Sequence, residues 1–310
     1  MLTSKLFATI PFQLLPDFQE QSFLLAVSGG ADSMVLLHLF NGLGLKFEVA
    51  HINYRLRNED SDLDQRLVEN YCLKHNIEFH LYRVSEKDQK PENSIQLWAR
   101  NLRYDFFRKI QKDRNLEFLV TAHHLNDELE TFLINLSRGS GIKGLSGIPS
   151  NENKIIRPLL HFSKAEIYAF AEKNGIEFRE DLSNQKNDYL RNGFRNQVIP
   201  QIQDIAPNFL NGFRDSIHYL SEANDFIQNE IEKALQEIVL NDNGAETTLN
   251  RKEMLSKPAF IIKEIIRRFG FSGDEIEKVI SGENGKLFRS KTHELHILRE
   301  EILCVKRKIK

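Results

Sequence analysis

The feature that most constrains this chain is the stretch Phe23-Leu24-Leu25-Ala26-Val27-Ser28-Gly29-Gly30-Ala31-Asp32-Ser33, which continues directly into Met34-Val35-Leu36-Leu37-His38-Leu39. An apolar run that stops at Ser-Gly-Gly and restarts with helical spacing reads as a buried strand, a tight turn and a helix N-terminus. That geometry suits an anion: glycines let the backbone approach closely, and the first free N–H groups of the helix point outward with the positive end of its dipole behind them. Ser28 and Ser33 add hydroxyl donors, and Asp32 is placed to hold a Mg²⁺ that shares phosphate oxygens. An ordinary turn of small residues needs only Gly-Gly; here the whole Ser-Gly-Gly-x-Asp-Ser sits between strand and helix. No Gly-Lys-Ser/Thr follows, which excludes a Walker A loop, and the absence of Gly-x-Gly-x-x-Gly excludes the dinucleotide fingerprint.

Lys46 to Asn53 reads as a second strand, Glu59 to His75 as a charged helix, and Glu78 to Val84 as a third strand. From Asn93 a helix carries Ile95, Trp98, Ala99, Leu102, Phe106 and Ile110 on one face. Leu116 to Ala122 follows as a fourth strand and Asn126 to Leu136 as a helix. Alternating strands and helices predict an α/β fold, a doubly wound parallel sheet whose ligands bind beyond the carboxyl ends of the strands. Ser163-Lys164-Ala165-Glu166 is a capping box opening a short helix that stops at Asn174-Gly175. Asp181 to Asn187 is a polar loop, and a helix from about Tyr189 carries Arg191, Asn192 and Arg195. From Phe213 to Ile238 apolar residues recur at helical spacing, which fits a linking helix or a packing helix equally and a dimeric coiled coil less well.

We therefore expect a catalytic domain over 1–212, a linking helix over 213–240 and a smaller, mainly helical C-terminal domain over 241–310, closed by two short strands, Glu294 to Leu298 and Ile302 to Val305. The 310 residues are enough for two such domains. No apolar run is long enough to span a membrane. Met1 to Leu15 is apolar but interrupted by Pro11, with Pro16 after it, and lacks a small-residue cleavage site, so we read it as a packed segment of a cytoplasmic protein. Cys72 and Cys304 are the only cysteines, which excludes a disulfide framework or a thiolate cluster. The net charge of −2 announces no nucleic acid globally, so any such surface is local.

The second informative stretch is Thr121-Ala122-His123-His124-Leu125-Asn126-Asp127-Glu128-Leu129-Glu130-Thr131. Spacing of three and four places His123, Asp127 and Glu130 on one side of a helix start. Acidic residues there also serve capping. Zinc lacks a cysteine or third histidine nearby, and a pocket that pairs a proton acceptor with carboxylates for an ammonium group fits better. Arg100 with Arg103, and Arg191 with Arg195, form helical pairs suited to phosphate or simply to solvent.

Taken in order, Ser28 to Ser33, His51-Ile52-Asn53-Tyr54-Arg55-Leu56-Arg57, Ala99 to Tyr104, Thr121 to Thr131, Arg138-Gly139-Ser140-Gly141 with Gly144 to Gly147, Arg157 to Leu160, and Glu180 to Asn184 with Arg191 to Arg195 resemble the tRNA(Ile)-lysidine synthetases, a family of PP-loop ATP pyrophosphatases. The resemblance covers about the first 200 residues. It implies that ATP adenylates the wobble cytidine of a tRNA(Ile) with a CAU anticodon and that free L-lysine then displaces AMP. It further implies that Asp32 coordinates Mg²⁺, that Ser28, Gly29, Gly30 and Ser33 cradle the phosphates, and that Ala26, Val27, His51, Arg103 and His123 lie beside the nucleotide. Arg103 would face the reacting phosphate or base and Arg195 would serve ATP. Asp127 and Glu130 would hold lysine, with His123 or His124 moving a proton. Tyr54 stands where the family commonly has a histidine, so we assign it no catalytic role. The section after Phe213 is expected to grip tRNA, and its basic tail leaves room for a further domain. A homodimer is compatible with the sequence. The alternatives are a PP-loop tRNA thiolase and a non-catalytic, nucleotide-responsive RNA-binding module.

Overall fold

The computed structural model describes residues 20–56, 59–89, 91, 94–149, 151–152, 154–180 and 190–307. The expected N-terminal segment and the Asp181 to Asn187 loop lie outside them. The chain divides into two compact units, 1–220 and 221–310.

In the first unit, β1 (Ser22–Ala26) is the spine. It pairs in parallel with β2 (Lys46–Asn53) on one side and β4 (Phe118–Val120) on the other, with Leu25 opposite both Val49 and Val120. β3 (Phe79–Arg83) extends the sheet beyond β2, and β6 (Ile155–Ile156) extends it beyond β4. An edge strand, β5 (Asn151–Glu152), runs antiparallel to β6, so the order is β3-β2-β1-β4-β6-β5. Chain order reverses between β1 and β4. A crevice opens at such a switch point, beyond the carboxyl ends of the strands.

Both faces of the sheet are covered, which is why β1 reads as an unbroken apolar run. Phe23 and Leu25 pack with Met34, Val35 and Leu37 of α1 (Ala31–Gly42) and with Ile167 and Ala171 of a helix at Lys164–Lys173. Leu24 points the other way, to Phe107 and Ile110 of a helix at Ile95–Arg114. Helix α1 is buried at Met34, Val35, Leu36, Leu37, Leu39 and Phe40, so it is a core helix rather than an amphipathic cover. In chain order the longer helices after α1 are α2 (Glu59–His75), α3 (Ile95–Arg114), α4 (Leu125–Ser137) and α5 (Lys164–Lys173). The predicted capping box at the start of α5 is formed: Ser163 Oγ accepts from Glu166 N at 3.2 Å, and the Glu166 carboxylate accepts from Ser163 N at 2.8 Å.

After a single turn at Leu190–Gly193 the chain widens into a π-helical turn, Phe194–Val198, and tightens again into α6 (Ile199–Ile205). Helix α7 (Phe209–Ile238) follows. Its Phe213 and Ile217 pack with Leu125, Leu129 and Ile199 of the first unit, whereas Ile231, Ala234 and Ile238 belong to the core of the second.

The second unit combines its helices with more sheet than the two closing strands expected. It holds a five-stranded antiparallel sheet, order β7-β8-β11-β10-β9, over Val239–Asp242, Glu246–Asn250, Glu301–Lys306, His293–Ile297 and Leu287–Arg289 respectively. Three short helices, Arg251–Ser256, Ala259–Arg268 and Asp274–Ile280, pack on it through Met254, Ile262, Ile265, Ile276 and Val279. The two strands expected at the end of the chain are β10 and β11, paired with Leu295 opposite Cys304 and Ile297 opposite Ile302. Asn243, Gly244 and Ala245 turn β7 into β8; Gly244 adopts φ +82° and Asn243 Oδ1 accepts from Ala245 and Glu246 N–H.

Candidate active site

The loop between β1 and α1 is held by its own serines. Ser33 Oγ accepts from Ser28 N at 3.1 Å and Gly29 N at 3.2 Å, and donates to Gly30 O at 3.0 Å. A side chain predicted to touch phosphate therefore first shapes the loop. Gly29 has φ +96°, and a Cβ there would lie 3.3 Å from Asp64 Cβ of α2, so both conformation and space require glycine. The loop is strapped from outside by Arg179. Its N–H donates to Gly29 O at 3.0 Å, while its guanidinium reaches Asp64 at 2.9 Å and Asp60 at 2.8 Å.

Beyond the strand ends lies a cavity of about 750 Å³. Ala26, Val27, Ser28, Gly30, Asp32 and Ser33 line it from the β1 side, and His123, His124, Asp127 and Glu130 from the β4 side. These two sequence-distant stretches meet through His124, the N-cap of α4. Its Nδ1 accepts from Asp127 N at 3.4 Å, which leaves the proton of the neutral ring on Nε2, 3.5 Å from Asp32 Oδ2. Burial opposes charge on His124, but its hydrogen bond to Asp32 and the charges of Asp127, Asp32 and Glu130 outweigh that, and its pKa is raised. Burial pushes His123 the other way, down to about 4 despite Asp127, so it is a neutral imidazole at physiological pH, with Nδ1 2.9 Å from Thr121 Oγ1.

Arg195 joins the two carboxylates. Its Nε and Nη2 meet the Glu130 oxygens at 2.5 and 2.8 Å, and Nη2 lies 3.3 Å from Asp127 Oδ1. Arg191 adds a contact to Glu130 at 3.4 Å and donates to Thr131 Oγ1 at 2.7 Å. Glu130 is almost fully enclosed; burial raises its pKa and Arg195 offsets part of that rise. Asp127 is opposed by burial as well, yet the histidines, the His124 N–H and Arg195 hold it below the usual carboxylate range. A guanidinium thus sits where the residue pattern predicts that a cationic substrate group is held.

Asp32 fits a divalent cation. Its Oδ1 is buried without a partner while Oδ2 faces His124. Among the described residues no three His, Cys, Asp or Glu side chains cluster as a self-sufficient metal site. One carboxylate with phosphate oxygens and water is the donor set Mg²⁺ commonly takes.

Two predicted residues lie outside the cavity lining. Gly29 is turned toward α2, and His51 supports from behind, its Nδ1 2.8 Å from Val27 O and its Nε2 buried without a partner. Arg103 lines the cavity, as does Tyr54, which the sequence reading passes over. The Tyr54 hydroxyl accepts from Arg103 Nε at 3.0 Å and donates to Ala99 O at 3.0 Å, and its ring lies under the Arg103 guanidinium at 5.8 Å. Lys164, Tyr168 and Arg179 also line the cavity. Lys164 carried a readable signal, since the capping box places it at the first turn of α5, beyond the strand ends.

Residues 5–202 match the PP-loop domain family, the class that the fold and the loop define, and residues 242–307 match the TilS substrate binding domain. Similar proteins include the tRNA(Ile)-lysidine synthases of Bacteroides thetaiotaomicron, 33% identical over 89% of this chain, and of Chlorobaculum tepidum, 38% identical over 79% of it and 76% of the relative. The chain spans 65% of the length of the Bacteroides relative and 64% of that from Parabacteroides distasonis. The U34-tRNA thiolase NcsA of Methanococcus maripaludis has the same fold over 71% of this chain and 78% of its own, with a TM-score of 0.59 at 17% identity. The chain belongs to the tRNA(Ile)-lysidine synthase family.

Proposed function

We propose that this protein joins the side-chain amine of free L-lysine to the wobble cytidine of a tRNA(Ile) with a CAU anticodon, using ATP. The observation that carries the reading is the convergence, in one cavity, of a phosphate loop with a carboxylate pair, Asp127 and Glu130, that holds a cationic group, here the Arg195 guanidinium. The base oxygen attacks the α-phosphorus of ATP and pyrophosphate leaves; the lysine amine then attacks the base carbon that bears this oxygen, and AMP leaves with the oxygen. The N–H groups at the start of α1 and Arg103 stabilise negative charge as each leaving group departs. Asp32 would hold Mg²⁺, which when bound neutralises charge on the departing pyrophosphate. Asp127 orients the lysine ammonium group, which gives up one proton to solvent before it attacks as the free amine, and neutral His123 relays the proton lost on attack to solvent. The target base is drawn out of its stack to reach this depth. Residues 241–310 form the tRNA-binding domain, following the relatives' substrate-binding family.

A thiolase reading is disfavoured by the cysteines. Cys72 and Cys304 are buried in the cores of separate units, and burial pushes both thiols up to about 12. Neither lines the cavity.

The test is transfer of labelled lysine to this tRNA with purified protein, ATP and Mg²⁺. Asp127→Ala should raise the lysine KM by at least about tenfold, roughly the loss of one charge-assisted contact, with ATP binding retained. No transfer by the unaltered protein, or an unchanged lysine KM in the variant, contradicts the proposal.

A further inference from the structure

A second, smaller cleft of about 310 Å³ lies at the same edge of the sheet and is lined by Arg55, Asp62, Gln65, Arg66, Glu69 and Arg83. We propose that it receives backbone phosphate of the RNA whose reacting base enters the main cavity; this rests on the reading under Proposed function. Every lining side chain is charged or an amide. A pocket that encloses a small molecule usually offers apolar walls, whereas a backbone phosphate needs only donors and charge.

The pairing within the cleft is what makes it a cationic site rather than a self-neutralised one. Arg66 and Asp62 stand four residues apart on α2, the usual spacing for a helical ion pair. Instead Arg66 Nε donates to the Asp62 main-chain carbonyl at 3.3 Å, and the Asp62 carboxylate takes the Asn53 amide at 2.7 Å. Likewise Arg83 Nε turns to Gln65 Oε1 at 3.0 Å, while Glu69 takes the Gln65 amide at 3.3 Å. Gln65 is buried, so this network is fixed from below. Asn53 and Gln65 thus satisfy the two carboxylates, and among the described residues the exposed guanidiniums of Arg55, Arg66 and Arg83 have no carboxylate partner.

Position supplies the link to the substrate. Asn53 and Arg83 are register partners at the carboxyl ends of β2 and β3, the edge from which the phosphate loop leaves β1. Tyr54 lines the main cavity and the next residue, Arg55, lines the cleft. Arg55 adopts φ +52° with its N–H held by Asn53 Oδ1 at 2.9 Å, which fixes the backbone at the boundary between the two. A nucleotide placed in the main cavity therefore brings its own chain past this cleft.

The test compares the unaltered protein with Arg66→Gln and with Arg66→Gln/Arg83→Gln, measuring tRNA binding across a salt series and ATP binding separately. Arg66 is exposed, so the single variant keeps its fold even if loss of the Arg83–Gln65 bond disturbs the double one. For the double variant we expect tRNA affinity to fall on the order of tenfold near physiological salt, and the log–log salt slope to flatten by roughly one per contact removed. ATP affinity should stay unchanged. If the unaltered protein binds no tRNA, the functional reading fails. If it binds and both variants bind with the same affinity and slope, the cleft assignment alone fails. Loss of inorganic phosphate or pyrophosphate binding with tRNA binding intact would make it a free-anion site and likewise overturn the assignment.

Discussion

Tyr54 shows how one side chain can set the aim of another. Its hydroxyl accepts from Arg103 Nε and its ring underlies the same guanidinium, so Arg103 enters the cavity from a fixed direction. A hydrogen bond to a charged group contributes roughly 1.5–3 kcal/mol, which corresponds to about ten- to a hundredfold in rate if it is made fully in the transition state. Tyr54→Phe keeps the ring and removes the acceptor. We expect kcat to fall at least about tenfold with the ATP KM nearly unchanged, because the guanidinium stays present but is no longer aimed. Wild-type kcat in this variant would show that Arg103 is held by other means. Its role was not legible in the sequence, because a tyrosine stands where the resemblance leads to a histidine and supplies its oxygen farther from the backbone than an imidazole supplies its nitrogen.

At the scale of elements, α4 carries two populations of acid on its first turns. Asp127 and Glu130 face the cavity, while Glu128 points inward beside Gly147 and Ile217. Burial pushes Glu128 up to about 8, with only the Ile148 N–H, 3.3 Å from Oε1, acting against it; Oε2 has no partner. The folded protein therefore keeps the proton that the unfolded chain releases near pH 4.5. Stability from this group is fully present below that value and is lost as pH rises to about 8, at ~1.4 kcal/mol per pH unit at most. Glu128→Gln removes the titration, so its melting temperature should exceed that of the unaltered protein by a margin that widens from pH 5 to 8. Parallel curves would refute the assignment. Legibility at this scale followed burial pattern. β1 with α1 and the capping box at α5 have sharp local signatures. The hairpin of β5 and β6 has two residues per strand, too few for any periodicity, and β8 buries only Leu249 within Glu-Thr-Thr-Leu-Asn, so it reads as polar loop.

For the molecule as a whole, the two units differ in what their sequences declare. The first announces its fold, because β1 at the centre of a covered parallel sheet is an unbroken apolar run and the ligands of such a sheet gather at one edge. The second declares less, since its last two strands were legible and the other three were not. Its strands are short, and its match to a substrate binding domain comes from comparison with relatives rather than from any residue pattern. Within the first unit the carboxylate pair was legible, but its occupation by Arg195 was not, since that arginine arrives from a π-helical turn 65 residues beyond Glu130. In the proposed reaction the phosphate loop and these carboxylates serve one base. Mass analysis of the wobble nucleotide, after tRNA(Ile) bearing a CAU anticodon is incubated with the protein, ATP, Mg²⁺ and lysine, tests it most directly. A cytidine that has gained one lysine in place of its base oxygen is the predicted product; a sulfur-substituted or unaltered nucleotide would contradict the account.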